Sequence, residues 1–396
     1  MLFDQFERTD PSPLKPGESY FHLYNRSSRQ AFANIRALLT DLISKYPQHE
    51  RDELVARFRC GDDEQYSSAE FELLLFSLME AAGFQLQPHP DLPNGSTSRP
   101  DFLVTDPSCC QFYLEAVLAR EATQSTLADP VIAATLHKLQ ITSHPRFQVV
   151  ARVSGRPASQ PSGRRLLHEI RQWLDTLEPQ AEGRTFEWRY EGLLLSFTAH
   201  AIHPLQQANP PLLAGYMGEA GWVNTYGGLR DNLKFKGGKY GKLELPLVVA
   251  ANHTSPFFSL DEATQALFGP LQVSVNLDDP KLDGRLTHAP DGAWMSRRGP
   301  IYRGMSGAWI FNNFSSSNLG RASPMLYLNP WATQAVPAAF LRFAHSKIEE
   351  GYMVRKEGTS IQDLIGVTDQ WPESWNEHAE AGNRQDRDAL TMTDNT

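Results

Sequence analysis

Residues 100–119 read PDFLVTDPSCCQFYLEAVLA. Asp106, Pro107 and Ser108 are turn residues, and the apolar runs on either side, FLV and FYL, read as two strands. A hairpin centred on Ser108 sets Val104 opposite Phe112, Leu103 opposite Tyr113, Phe102 opposite Leu114 and Asp101 opposite Glu115. Opposed residues share a face of the sheet, with β-carbons about 4.5–5.5 Å apart. A slip of one residue sends the two carboxylates to opposite faces, so the pairing rests on the turn. Two carboxylates that close among apolar neighbours repel each other and are costly to desolvate. A divalent cation removes both penalties. Mg²⁺, which takes a few carboxylates together with waters and phosphate oxygens, suits the pair, with Mn²⁺ as the alternative. The plainer reading leaves Asp101 in a loop mouth and Glu115 in solvent. Against it, Glu115 interrupts FYLEAVLA, a run that otherwise reads as buried.

Upstream of the hairpin the spacing predicts helices. Ala31, Ile35, Leu38, Leu39, Leu42 and Ile43 recur at helical intervals until Pro47, and a second helix is expected over 50–58. A third starts near Ser67 and Ser68, its expected N-caps, and runs to Gly83. Its apolar residues lie on nearly every side, which predicts a helix buried between other elements. FQLQPHP is the first strand of the set. Downstream, VIAATLHKLQI reads as a helix after Asp129 and Pro130, FQVVARVS (147–154) as a strand, and RRLLHEIRQWLDTL as a helix. TFEWRYEG and LLLSFTAHAI form a hairpin around Gly192. LELPLVVAANH reads as a buried strand, and SLDEATQALFG as a helix with Ser259 at the N-cap and Glu262 at the capping-box position.

The composition narrows the function classes. A 41% hydrophobic content supports a packed core, while no run approaches the roughly 20 apolar residues of a membrane helix. The N-terminal MLFDQFERTDPSPLKPGE carries early acidic residues and no apolar centre, so no secretory signal is expected and a cytoplasmic location is. Cys60, Cys109 and Cys110 give neither a disulfide framework nor a zinc spacing. The net charge of −9 argues against a general attraction to nucleic acid, but phosphate contacts are made patch by patch. One such patch is LRDNLKFKGGKYGK, where Arg230, Lys234, Lys236, Lys239 and Lys242 outweigh Asp231. Tyr226, Phe235 and Tyr240 lie among these charges, and aromatic rings stack on bases or sugars. The segment reads either as a phosphate-binding loop beside the carboxylates or as a solvated amphipathic helix followed by a turn. Arg297, Arg298 and Arg303 form a weaker patch. Neither HExxH nor a Walker A motif occurs, and GMSGA (304–308) precedes a strand-like stretch where a nucleophile elbow needs a helix.

Pro100-Asp101, a short hairpin, and Glu115 inside an apolar strand resemble the core of the PD-(D/E)XK nucleases, the restriction-endonuclease-like superfamily. The preceding helix with Glu72 in FELLLF is similar to the first helix of that core. The helix VIAATLHKLQI (131–141) and the strand at 147–154 complete an αβββαβ order, so the likeness covers roughly residues 66–155. ELLLF, PDFLV and FYLEAV in this order are also similar to a branch of uncharacterised bacterial proteins with such a domain.

The resemblance implies an α/β fold: a restriction-endonuclease-like αβββαβ core with a mixed sheet, an N-terminal helical region and an α/β C-terminal half. The expected divisions are an N-terminal arm and helices (1–65), the core with the following helix and hairpin (66–204), an α/β region packed on it (205–367) and a disordered tail (368–396). It also implies Mg²⁺-dependent cleavage of nucleic acid, DNA above all, in restriction or anti-phage defence, with a homodimer or a partner protein of a defence system. Asp101 and Glu115 are then the metal ligands and Glu72 an auxiliary carboxylate, with Glu70 its exposed neighbour. The superfamily lysine two residues after the strand glutamate is Val117 here. Its substitute is sought in Lys138 on the next helix, with His137 beside it, or in the 234–242 lysines, with Arg120 a third candidate. Without a substitute, the fold is expected to bind nucleic acid, or to regulate, without cutting.

Overall fold

The computed structural model describes residues 1–15, 17–119, 130–155, 157–178, 181–202, 211–218, 225–254, 258–274 and 285–373. The chain forms two compact units. One comprises Met1–Pro13, Ser19–Ala122 and Thr225–Thr396, the other Leu14–Glu18 and Thr123–Asn224.

The first unit opens with helices α1 (Tyr20–Arg26), α2 (Gln30–Lys45), α3 (Gln48–Arg59) and α4 (Asp63–Ala81), then strands β1 (Gln85–Pro88), β2 (Phe102–Thr105) and β3 (Gln111–Ala119). The second unit contributes α5 (Pro130–Gln140), β4 (Phe147–Ser154), α6 (Gly163–Asp175), β5 (Arg184–Tyr190), β6 (Leu193–Ala201) and β7 (Leu213–Gly218). The first then resumes with α7 (Thr225–Gly238), β8 (Leu247–His253), α8 (Leu260–Phe268), β9 (Leu271–Ser274), β10 (Arg285–His288), β11 (Met295–Ser296) and β12 (Gly299–Pro300). It closes with β13 (Met305–Asn312), β14 (Met325–Leu328), β15 (His345–Glu349), β16 (Tyr352–Lys356) and α9 (Ile361–Ile365).

The chain is thus α/β with a mixed sheet, as expected. The sheet that holds the hairpin has eight strands in the order β1-β2-β3-β8-β13-β14-β15-β16. The β1–β2–β3 part is antiparallel, and β3–β8–β13 is parallel. All seven residues of β8 are buried, and the first five, Leu247 to Ala251, are the continuous apolar run of a strand covered on both faces. On one face Phe102, Phe112, Leu114 and Val248 pack with α4 residues such as Phe71 and Leu75. On the other, Tyr113, Val249 and Ala251 pack with Leu229 and Leu233 of α7.

Here the expected order is corrected. The strand at 147–154 does not extend the hairpin sheet; it pairs with β6 and β7 in the four-stranded sheet of the second unit. The partner of β3 is β8, reached through α7. Helix, three strands, helix and strand do occur in this order in the first unit, but α7 and β8 take the last two places. The expected divisions at 66–204 and 205–367 therefore cut across both units. Periodicity marks 147–154 as a strand but says nothing of its pairing partner.

In the second unit, Leu166, Ile170 and Leu174 of α6 pack on Val149, Phe197 and Trp188. Glu191 and Gly192, both at positive φ, make the expected tight turn between β5 and β6.

Smaller corrections follow from capping and burial. Helix α4 begins earlier than expected, because Asp62 accepts from the N–H groups of Glu64 and Gln65, while Ser67 donates to the Asp63 carbonyl. Glu262 does accept from the Ser259 N–H at 2.6 Å. Disorder from residue 368 does not hold for the described part of the tail. Trp371 is buried and its Nε1 donates to the Ser316 carbonyl at 2.6 Å. Residues 374–396 lie outside the described residues.

Glu70 is not exposed, as expected, but buried at 5% exposure, accepting from the Ser316 N–H at 3.2 Å, the Ser316 hydroxyl at 2.5 Å and Tyr66 at 3.3 Å. Burial pushes its carboxyl up to about 7, against the partial relief of these donors. The native state then holds a proton that the unfolded chain, at 4.5, has released. Glu70 thus adds stability that is fully present below pH 4.5 and lost as pH rises through about 7. The amount at stake is on the order of 3 kcal/mol. In urea unfolding from pH 5 to pH 8, Glu70→Gln is expected to lose less stability than the parent by about that amount. A parent–variant difference independent of pH would refute this role.

Candidate functional site

The β2–β3 hairpin pairs Phe102 with Leu114, Leu103 with Tyr113, Val104 with Phe112 and Thr105 with Gln111, the register read from the sequence. Its turn is fixed by the buried Asp106, whose Oδ1 accepts from the N–H groups of Ser108 and Cys110, both at 2.8 Å. Cys109 takes a positive φ of 65° in that turn. The register carries Asp101, the residue before β2, to Glu115.

The two side chains are knitted reciprocally. The Asp101 N–H donates to Glu115 Oε2 at 3.2 Å, and the Ala116 N–H donates to Asp101 Oδ2 at 2.6 Å. The Asp101 carbonyl accepts from the His89 N–H at 2.9 Å, which continues the β1–β2 ladder by one residue.

Glu115 is fully buried, on the sheet face that α7 covers. Lys236 Nζ and Tyr240 Oη both donate to its carboxylate, and Lys239 Nζ lies 3.5 Å from Oε1. These three residues have the i, i+3, i+4 spacing of one helix side, a signal present in KFKGGKYG. Gly237 and Gly238 let the helix end lie against Met305 and Tyr302. A β-carbon on Gly238 would come 3.0 Å from Tyr302 Cε1, and one on Gly237 2.5 Å from Met305 Cε.

Burial, then the Glu115 charge, pushes the Asp101 carboxyl up to about 8, against the partial relief of Lys236. Tyr240 is held far above the usual phenol range by burial and then by Glu115, so it stays a donor. Glu72 lies in a separate buried network on α4. Tyr46 donates to its Oε1 at 2.7 Å, Arg57 pairs with its Oε2, and His89 Nε2 stands 4.0 Å from Oε1. Its charge still reaches Asp101, where it is among the causes of the raised pKa.

Lys138 and His137 belong to the second unit. The Lys138 stem lies at the start of α6, where a β-carbon on Gly163 would come 3.3 Å from its Cγ. His137 Nδ1 is buried without a hydrogen-bond partner among the described residues. Arg120 lies outside the described residues. The 234–242 segment is helix and turn, and its charges are largely committed. Arg230 and Lys234 both pair with Asp291, at 2.6 and 3.2 Å, and Lys242 is exposed. Tyr240 is buried, not available for stacking. Arg297 and Arg298 are exposed in the turn between β11 and β12, and Arg303 Nε donates to the Trp331 carbonyl at 3.0 Å. The sequence reading allowed Glu72 an arginine partner, which is Arg57, but missed Tyr240 as a carboxylate donor and Tyr46 and His89 as neighbours of Glu72.

Two carboxylates are hard oxygen donors of the kind Mg²⁺ takes. A carboxylate has about four acceptor positions. Those of Glu115 meet Lys236, Lys239, Tyr240 and the Asp101 N–H, so a metal ion would need one of them, Lys239 being the most distant, to give way. Among the described residues no three His, Cys, Asp or Glu side chains group as a metal site. Asp101 and Glu115 are the two oxygen donors that this site would offer a metal ion. Among the described residues no helix is long and apolar enough to cross a membrane. No family model matches the chain, and no curated protein or solved structure matches it either.

Proposed function

We propose that this protein hydrolyses phosphodiester bonds of nucleic acid, DNA in the first instance, with a divalent metal ion held by Asp101 and Glu115. The observation that carries this reading is the convergence of Lys236, Lys239 and Tyr240 on Glu115 beside Asp101. It supplies the basic group that Val117 does not. The αβββαβ order of α4, β1, β2, β3, α7 and β8 supports a restriction-endonuclease-like core.

Bound Mg²⁺ would activate a water and stabilise charge on the phosphoryl oxygens. Lys236 orients the attacking water and offsets the developing negative charge. Tyr240 holds the Glu115 carboxylate in place. Glu72, already paired with Arg57, acts on Asp101 through its charge and not as a ligand. A role in restriction or phage defence, alone or with a partner protein, accords with such chemistry.

Supercoiled plasmid incubated with Mg²⁺ or Mn²⁺ is expected to be nicked or linearised by the parent. Asp101→Ala should lower the rate by at least about 10³, the scale on which one well-placed electrostatic group acts. Intact plasmid with both metals would overturn the reading, and full activity in the variant would remove Asp101 from the site.

One observation favours a second reading, a noncatalytic nucleic-acid-binding or regulatory module. The Glu115 carboxylate is completely buried and has its acceptor positions met, as in a purely structural ion pair. In that case Mg²⁺ leaves the thermal midpoint of the parent unchanged. Under the metal reading Mg²⁺ raises it, and Asp101→Asn abolishes the rise.

A further inference from the structure

Helix α7 carries a bare aromatic ring among its basic residues. Phe235 lies between Lys234 and Lys236 and is 67% exposed. The other two aromatic residues of the segment are occupied. Tyr240 is buried on Glu115, and Tyr226 packs against the core.

Four residues on, Lys239 lies in the turn that closes the helix, its N–H donating to the Lys236 carbonyl at 3.3 Å. Residues four apart share a helix side, with β-carbons about 5–6 Å apart. The Lys239 amine is 3.5 Å from a carboxylate oxygen that Lys236 already neutralises. The end of α7 and its closing turn thus offer an exposed ring and, four residues on, a cation that shares Glu115 with Lys236 and lies 5.0 Å from the centre of the Tyr240 ring. A phosphate and a flat base match these two groups.

A duplex keeps its base faces stacked inside, whereas an unpaired nucleotide can lay its base on a ring. With a net charge of −9, the chain exerts no general pull on polyanions, so local contacts must do the selecting. A single exposed Phe is common on protein surfaces. This one is distinguished by its position between two lysines and one turn from the carboxylate centre.

We propose that Phe235 and Lys239 form a subsite for one unpaired nucleotide beside the carboxylate centre, so that the protein takes single-stranded nucleic acid in preference to duplex. The proposal rests on the nucleic-acid reading above. The test measures binding of a fluorescent single-stranded DNA oligonucleotide, and of its duplex, by anisotropy in Ca²⁺, with cleavage of both followed in Mg²⁺. The single strand is expected to bind about tenfold more tightly than the duplex, and Phe235→Ala to remove that margin. Phe235→Trp should keep it. The ring is exposed, so the thermal midpoint of Phe235→Ala should match that of the parent. Lys239→Met should weaken both ligands.

Equal affinity for the two forms, or a preference that survives Phe235→Ala, overturns the subsite. So does the absence of binding to either form. Cleavage without strand preference leaves the hydrolase reading standing and the subsite fallen. Phe235-dependent binding of single strands without cleavage in Mg²⁺ or Mn²⁺ does the reverse.

Discussion

Lys236→Met is expected to slow phosphodiester cleavage by about 10²–10³ at saturating substrate while leaving substrate affinity within a few fold. The amine of Lys236 makes the tightest cationic contact with Glu115, from a side chain only 17% exposed. A cation there acts mainly on charge that develops in the reaction, so its loss should appear in kcat and not in KM. Lys239 shares the same carboxylate oxygen at 3.5 Å, with a side chain 28% exposed. Lys239→Met should show the opposite split, with weakened binding and a nearly unchanged maximal rate. Single-turnover rates at several substrate concentrations separate the two patterns. Equal effects of both substitutions on kcat would sink the assignment of Lys236 as the catalytic cation.

Glu115→Ala is expected to cost about 3 kcal/mol of stability, the low end of what breaking a buried ion pair costs. The carboxylate is fully buried, and its removal leaves the Tyr240 hydroxyl only the Arg99 carbonyl, at 3.1 Å, and takes the acceptor from the Asp101 N–H. The two lysine amines can partly recover by reaching water along their flexible stems, which keeps the figure low. An apolar triple variant, Glu115→Leu with Lys236→Met and Tyr240→Phe, should recover part of the loss, since the two closest donors leave with the carboxylate, while the Asp101 N–H and the Lys239 amine lose their acceptor. Denaturant unfolding of both variants checks this. A loss under about 1 kcal/mol in Glu115→Ala would show that the network is not held as tightly as its burial implies. The triple variant should be well folded and inactive, which separates the two things the cluster does.

The hairpin was legible because everything that sets it is local. Asp106, Pro107 and Ser108 define the turn, alternation is fixed by the pleat, and Asp101 meets Glu115 in the register these dictate. The buried character of α4 was equally plain from apolar residues on all its sides. The capping of α8 and the turn at Gly192 also followed from short-range chemistry.

Pairing across long stretches of chain was another matter. Helix α5 and strand β4 follow the hairpin and have the right periods to complete its sheet, yet they build a second unit. The true neighbour of β3 lies beyond that unit, because side-chain periodicity specifies a face and not a partner strand.

Lys138 and the 234–242 lysines were both open as substitutes for the missing lysine, and the tertiary structure brings Lys236 and Lys239, with Tyr240, to Glu115. The sequence by itself determined the carboxylate pair, since turn and pleat act over a dozen residues. Only the tertiary structure decided which cations meet it, because that contact depends on how α7 packs over a strand more than a hundred residues away.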